Sequence, residues 1–241
     1  MELDVGIQKL INFLDYVFSQ KSSFDIHSAS YAQAPMDEIR QYRNNQYLLR
    51  EQHYLFNELQ IKCEEQFQLD QRSHHFWVTK DGELVGCIRA TPAPFELEMA
   101  MAGATLSLSP FSDYIELSRL ITSHNHEVSA FSIRLLACVA LFSLKNQYSG
   151  FLAMCKAPQR RLFQRFGMKP LSSEYLTLPE RNHGKYWFMA GNWNEIAMGP
   201  GCSIPEGYLI PELTTPPHPL AADLSFLDFK HNPQGNIHAQ F

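Results

Sequence analysis

The chain has 241 residues, of which 45% are hydrophobic and 19% charged, and its formal net charge is −5. This length suffices for one domain with a large core, and the acidic balance argues against a bulk nucleic-acid binder or a polybasic membrane surface. The five cysteines are widely spaced without a Cys-x-x-Cys pair, which fits a reducing compartment better than a disulfide framework or a structural zinc site. There is no basic leader ahead of an apolar run and no stretch of about 20 apolar residues. We therefore expect a cytoplasmic protein without an integral membrane segment.

The first part of the chain, residues 1–35, predicts a helix followed by a loop. Ile7, Leu14 and Phe18 recur at helical spacing, which is typical of an amphipathic helix whose apolar stripe packs on a core. Residues 20–35 are rich in Ser and Ala and predict a loop that closes at a proline.

The main domain is predicted to occupy residues 36–200. Apolar spacing from Met36 to about residue 66 predicts one or two helices. Two alternating apolar segments then flank Asp81-Gly82, and this dipeptide between two strands predicts a tight hairpin with a type I′ turn. Residues 114–122 are β-branched and alternating, which predicts another strand.

The rest of the main domain alternates helices and strands. A long apolar helix is predicted over 129–147, a short buried strand over 151–155, a helix from Pro158 to Gly167 and a late strand over 185–189. This order predicts an α/β fold with a mixed rather than purely parallel sheet.

A change of composition follows residue 200. Six prolines lie between 205 and 233, so residues 201–241 predict a tail with little regular structure. We expect this tail to pack on the domain, with a lid over the site as the alternative.

Several motifs give this chain a resemblance to a known superfamily. The hairpin, the strand with Glu116-Leu117-Ser118-Arg119, the long helix and Phe166-Gly167-Met168 together resemble the GNAT acyltransferases. The resemblance covers roughly residues 36 to 190. It implies a mixed, mostly antiparallel central sheet with helices on both faces.

Within the GNAT superfamily, the chain looks most like the branch of acyl-homoserine-lactone (AHL) synthases and N-acyl amino acid synthases. The branch has Arg-x-x-x-aromatic, an acidic segment before the hairpin, Gly-x-x-Arg at its close and Glu-x-Ser-Arg on the next strand. The matching residues are Arg43, Tyr47, Asp70, Gly86, Arg89, Glu116, Ser118 and Arg119. The resemblance implies transfer of a fatty acyl group from an acyl-carrier-protein or acyl-CoA thioester to the amine of an amino acid or similar small amine. It implies no cofactor besides this co-substrate.

Two departures from the family pattern bear on the substrates. Residues 123–130 contain no glycine, whereas backbone cradles for the diphosphate of coenzyme A need glycine for close approach; this favours acyl-carrier protein as donor. The tryptophan after the aromatic residue and the second aspartate of the acidic segment are missing, which favours an amine over S-adenosylmethionine as acceptor. An AHL synthase using S-adenosylmethionine and a non-catalytic acyl-binding regulator remain the alternatives.

The resemblance also implies roles for individual residues. Glu116 is the candidate base for the amine, with a structural pairing to Arg119 or Arg89 as the alternative. Ser118 is the candidate proton donor to the leaving thiolate, and packing is its alternative role. The candidates for substrate binding are Arg43, Tyr47, Asp70, Arg89 and Arg119.

Donor binding is assigned to two regions. Backbone N–H groups near Ser118 to Leu120 would stabilise an oxyanion, and Leu120 and Thr122 would contact the donor. The basic cluster around Arg160, Arg161 and Arg165 would dock an acidic carrier protein, or else is a solvated helix face. The pair His124 and His126 lacks a third ligand nearby, so we expect no metal.

Overall fold

The computed structural model describes residues 5–20, 23–50, 63–100, 107–123, 128–178 and 183–205. The helices are α1 (Val5–Ser19), α2 (Met36–Leu49), α3 (Cys63–Gln71), α4 (Glu96–Ala100), α5 (Val128–Lys145), α6 (Ala157–Arg165) and α7 (Trp193–Met198), with 3-10 turns at Ser109–Phe111 and Pro200–Cys202. The strands are β1 (Asp25–Ser30), β2 (His74–Lys80), β3 (Glu83–Pro92), β4 (Ile115–Thr122), β5 (Gly150–Cys155), β6 (Lys169–Pro170), β7 (Leu176–Leu178) and β8 (Gly184–Asn192).

The strands form a sheet in the order β1-β2-β3-β4-β5-β8-β6, and β7 also pairs with β8. The strands β4 and β5 pair in parallel, and the other neighbouring strands pair antiparallel. The prediction of a mixed, mostly antiparallel sheet is confirmed.

The predicted loop over 20–35 is wrong in part, because β1 lies within it. This strand runs antiparallel to β2, from the pair Asp25↔Thr79 to the pair Ser30↔His74. Its side chains are exposed or half-buried and largely polar, so hydropathy gave no period-2 signal. Backbone pairing with β2 holds the strand, and such pairing between distant segments is invisible in local sequence.

The hairpin between β2 and β3 is confirmed. Asp81 has φ 53° and Gly82 has φ 81°, and a type I′ turn requires positive φ at both central residues. The turn fixes how β3 lies against β2, and therefore which β3 side chains share a face with those of β2.

The sheet separates two environments. Phe76, Ile88 and Leu117 belong to the main apolar core, which also contains buried residues of α1 and α5. The alternate strand positions, including His75 and Arg89, face α2 and α3 on the opposite side, where Asp70 of α3 bonds to Arg89. Helices cover both faces, as the resemblance implies.

The remaining predictions fall partly outside the described residues. The segment 51–62 within the predicted helical region and the tail beyond residue 205 are not described, so neither the packing of the tail nor a lid is tested. In the part of the chain that is described, no helix combines the length and apolarity needed to cross a membrane.

Candidate active site

The Glu-x-Ser-Arg motif lies where the sheet is interrupted. The parallel pairing of β4 with β5 is registered from Ile115↔Phe151 to Leu117↔Ala153, although both strands continue further. On the other side of β4, one β3 residue lies opposite Arg119 and Leu120, and Arg119 has φ 56°. This β-bulge changes the direction of the β4 side chains next to the end of the parallel pairing.

Glu116 lies on β4 with 2% of its surface exposed. Its Oε2 atom accepts hydrogen bonds from the backbone N–H of Glu96 at 2.5 Å and of Leu97 at 3.4 Å. Burial, and secondly the nearby charge of Glu96, raise the pKa of Glu116 to about 8, against the opposing effects of Arg89 and the two N–H groups. The carboxyl group can therefore exchange a proton near neutral pH.

The carboxylate that pairs with both arginines is Glu96, not Glu116. Glu96 binds Arg89 through Oε2 and Arg119 through Oε1, the latter at 2.5 Å. It is 5% exposed. Sequence reasoning did not single out Glu96, because acidic residues are common at a helix start. Glu96 is buried and the nearby Glu98 is exposed, and this difference becomes visible only in the fold.

Arg89 connects the Glu-x-Ser-Arg motif on β4 to Asp70 on α3. It is fully buried, and its Nε atom donates to Ser118 Oγ at 3.0 Å while Nη1 donates to Asp70 Oδ1 at 2.9 Å. Ser118 thus accepts a charge-assisted hydrogen bond, and its own O–H can donate elsewhere.

The Asp70 carboxylate contacts guanidinium groups from both α2 and β3. Its carboxylate lies 3.3 Å from Arg43 Nη1, 2.9 Å from Arg89 Nη1 and 3.3 Å from Arg40 Nε. Burial alone would raise the pKa of Asp70, but Arg43 and Arg89 hold it well below its usual range. Asp70 is therefore ionised at any working pH and compensates the buried arginines.

His75 completes this network and was not singled out by its sequence. It is fully buried, with Nε2 at 2.9 Å from the backbone oxygen of Asp70 and Nδ1 at 3.5 Å from Arg43 Nη2. Because Arg43 can only donate, Nδ1 accepts and Nε2 carries the hydrogen. Burial and the charge of Arg43 lower the pKa of His75 to about 4.

The other predicted substrate and donor residues lie around this network. Tyr47 is buried in an apolar cluster with Met36, Ile39, Cys87 and Ile121. Leu120 is half-buried at the bulge.

The C-terminal end of β4 carries a polar contact that the sequence did not indicate. Thr122 is buried, and its carbonyl oxygen accepts a hydrogen bond from Arg50. In the glycine-free segment that follows, residues 124–127, which include His124 and His126, lie outside the described residues.

The basic cluster lies on a different element from the buried network. Arg161 and Arg165 are exposed on α6, which packs against β5 and β8. Arg160 is half-buried, with its guanidinium 5.0 Å from the ring centroid of Trp187, and Lys169 bonds to Glu195 at 2.8 Å. Arg161 and Arg165 are thus the two arginines of this helix that are presented to solvent.

A surface depression of about 570 Å³ lies beside the C-terminal end of α6 and is lined by Gln164, Lys169, Asn194, Glu195 and Met198 among others. None of its lining residues belongs to the buried network, so it is separate from the candidate site. Within the described ranges, no group of His, Cys, Asp and Glu side chains is arranged to hold a metal ion.

Comparisons with known proteins define the fold. No family model and no curated protein matches the sequence. Among solved structures, the AHL synthase LasI is 13% identical with a TM-score of 0.52, covering 77% of this chain and 100% of its own. FeeM, an N-acyl amino acid synthase from uncultured soil microbes, is 12% identical with a TM-score of 0.51, covering 71% of this chain and 94% of its own. The chain has the fold of the GNAT acyltransferases.

Proposed function

We propose that this protein is an N-acyltransferase that moves a fatty acyl group from an acyl-carrier-protein or acyl-CoA thioester to the amine of an amino acid or similar small amine. The observation that carries the proposal is the buried carboxyl group of Glu116, which lies one residue before the last registered pair of β4 with β5 and accepts hydrogen bonds from the N–H groups of Glu96 and Leu97. An α-amino group has a pKa near 7.7–8.0. Burial, and secondly the charge of Glu96, raise the pKa of Glu116 towards this range, which suits a general base for such an amine.

The reaction follows from the positions of Glu116 and Ser118. The amine nitrogen attacks the thioester carbon, so the N–C bond forms, and Glu116 takes the amine proton directly or through water. The C–S bond then breaks and the thiolate leaves with a proton from Ser118, whose oxygen is held by Arg89 at 3.0 Å. The proton that Glu116 accepted returns to Ser118 through water, so both groups end the cycle in their starting states. The backbone N–H groups of the bulge residues Arg119 and Leu120 are the candidates to stabilise the oxyanion.

The buried arginines would shape the acceptor pocket. Arg43 and Arg89 contact Asp70, and Arg89 and Arg119 contact Glu96. Ion pairs of this kind avoid the cost of an isolated buried charge, and they fix the side chains around the reacting atoms.

The donor in this proposal is preferentially the carrier protein. Its landing surface is the exposed pair Arg161 and Arg165, with the neighbouring cation–aromatic contacts of Arg160 on Trp187 at 5.0 Å and of Lys185 on Tyr175 at 4.3 Å. Positive charge on this face of an acidic chain would steer and orient an acidic protein.

A product screen tests the proposed function. The protein is incubated with a long-chain acyl-carrier protein or acyl-CoA and with pooled amino acids, with and without S-adenosylmethionine, and products are identified by mass spectrometry. We expect N-acyl amino acids. A homoserine lactone product would instead establish AHL synthesis, and acyl-chain binding without any product would establish a non-catalytic regulator.

A further inference from the structure

Glu96 occupies a central position among the charged groups of the site. Its backbone N–H donates to Glu116 Oε2 at 2.5 Å, and its two carboxylate oxygens bind Arg89 and Arg119. Arg89 in turn donates to Ser118 at 3.0 Å. Glu96 therefore contacts Glu116 and Arg119 directly, and it reaches Ser118 through Arg89.

We propose that Glu96 is a positioning residue that holds Glu116, Arg89 and Arg119 as one unit, so that the base and the bulge keep their relative geometry during acyl transfer. This inference rests on the proposed function for its catalytic consequence, but the positioning itself is a property of the folded protein.

The charge of Glu96 also affects the protonation of Glu116. Three buried arginines, Arg43, Arg89 and Arg119, face the carboxyl groups of Asp70, Glu96 and Glu116. Asp70 and Glu96 make the ion pairs, so Glu116 can accept or release a proton without breaking one. A neutral residue at position 96 would remove a negative charge beside Glu116 and leave two arginines less compensated. Both changes favour the ionised form of Glu116.

The side chain of Glu96 also holds the β-bulge at Arg119 in place. Arg119 has φ 56°, a backbone conformation that surrounding contacts must hold in a residue other than glycine. The ion pair with Glu96 at 2.5 Å ties the Arg119 side chain to α4. A shorter acid at position 96 would keep the charge and loosen this tie.

The first experiment measures Glu116 directly and needs no turnover. The full-length protein is labelled with ¹³C at the glutamate carboxyl groups and titrated by NMR, and the Glu116 signal is assigned by its loss in Glu116→Gln. We expect Glu116 to titrate at lower pH in Glu96→Gln than in the wild type. Glu98→Gln, an exposed change in the same helix, should leave it unmoved. An unchanged Glu116 titration in folded Glu96→Gln overturns the proposal, whatever the activity of the protein.

The second experiment separates position from charge. We expect Glu96→Asp to keep the alkaline titration of Glu116 but to lower kcat by roughly 10- to 100-fold with little change in KM, the scale of a small misplacement near the reacting atoms. This variant also provides the test if Glu96→Gln does not fold. Wild-type kcat in Glu96→Asp contradicts the positioning role. Absence of turnover in the wild type as well, together with the expected NMR shift, contradicts the proposed function and leaves the positioning intact.

Discussion

Replacing His75 by glutamine should remove a specific part of the acid sensitivity of this fold. His75 is held neutral, because Arg43 donates to Nδ1 and Nε2 donates to the backbone of Asp70. Burial, and secondly the Arg43 guanidinium that faces Nδ1, disfavour a second proton on this ring. The folded state therefore binds this proton more weakly than the unfolded state, so stability should fall as the pH decreases from about 6.5 towards 4.

The size of this effect follows from the two pKa values. The pKa of His75 falls from 6.5 to about 4 on folding, and each unit corresponds to about 1.4 kcal/mol. At pH 4.5 the unfolded state is almost fully protonated at this histidine and the folded state only partly. The free energy of unfolding should then be lower by roughly 2–3 kcal/mol than at pH 8 through His75 alone. Glutamine has no such proton in either state.

Urea unfolding of the wild type and His75→Gln at several pH values between 4.5 and 8 measures this contribution. The difference between the two proteins isolates His75 from the opposing trend of Glu116, whose raised pKa lowers stability as the pH rises. Parallel curves for the wild type and His75→Gln would refute the assignment of a buried neutral histidine.

Two further predictions concern the arginines. Arg89→Ala should abolish activity and lower the free energy of unfolding by roughly 3–5 kcal/mol, because Asp70 and Glu96 lose a buried partner; unchanged urea unfolding would contradict the pairing. Reversing both Arg161 and Arg165 to glutamate should lower kcat/KM roughly tenfold with acyl-carrier protein, with little effect on acyl-CoA, and the difference should shrink in high salt. Equal losses with both donors would show that α6 is a solvated surface.

The hairpin and the motif strand were predictable because their signals are local. Asp81-Gly82 specifies its turn by the φ values that the two residues must adopt. Period-2 alternation also places His74 and His75 on opposite faces of β2. The buried one of the pair could not be identified until α2 and α3 were placed on the sheet.

The centre of the site was not predictable, because it depends on register. Glu96 follows Arg89 by seven residues and precedes Arg119 by 23, and only the β3–β4 pairing with its bulge brings the three together. The polar edge strand β1 was not predicted because it depends on pairing with β2, which lies about 50 residues further along the chain.

Acyl transfer at Glu116 is tested most directly by single-turnover kinetics of Glu116→Gln with a long-chain acyl-carrier protein and the amine found in the product screen. Glutamine keeps an oxygen that can accept from the N–H groups of Glu96 and Leu97 but cannot take the amine proton. We predict that product formation falls by roughly 10²-fold or more, the scale of a lost general base. The melting temperature should be at least that of the wild type, because no buried charge must form. Glu98→Gln, prepared in parallel, should retain the wild-type rate. A near-wild-type rate in Glu116→Gln would contradict the mechanism and remove Glu116 from it.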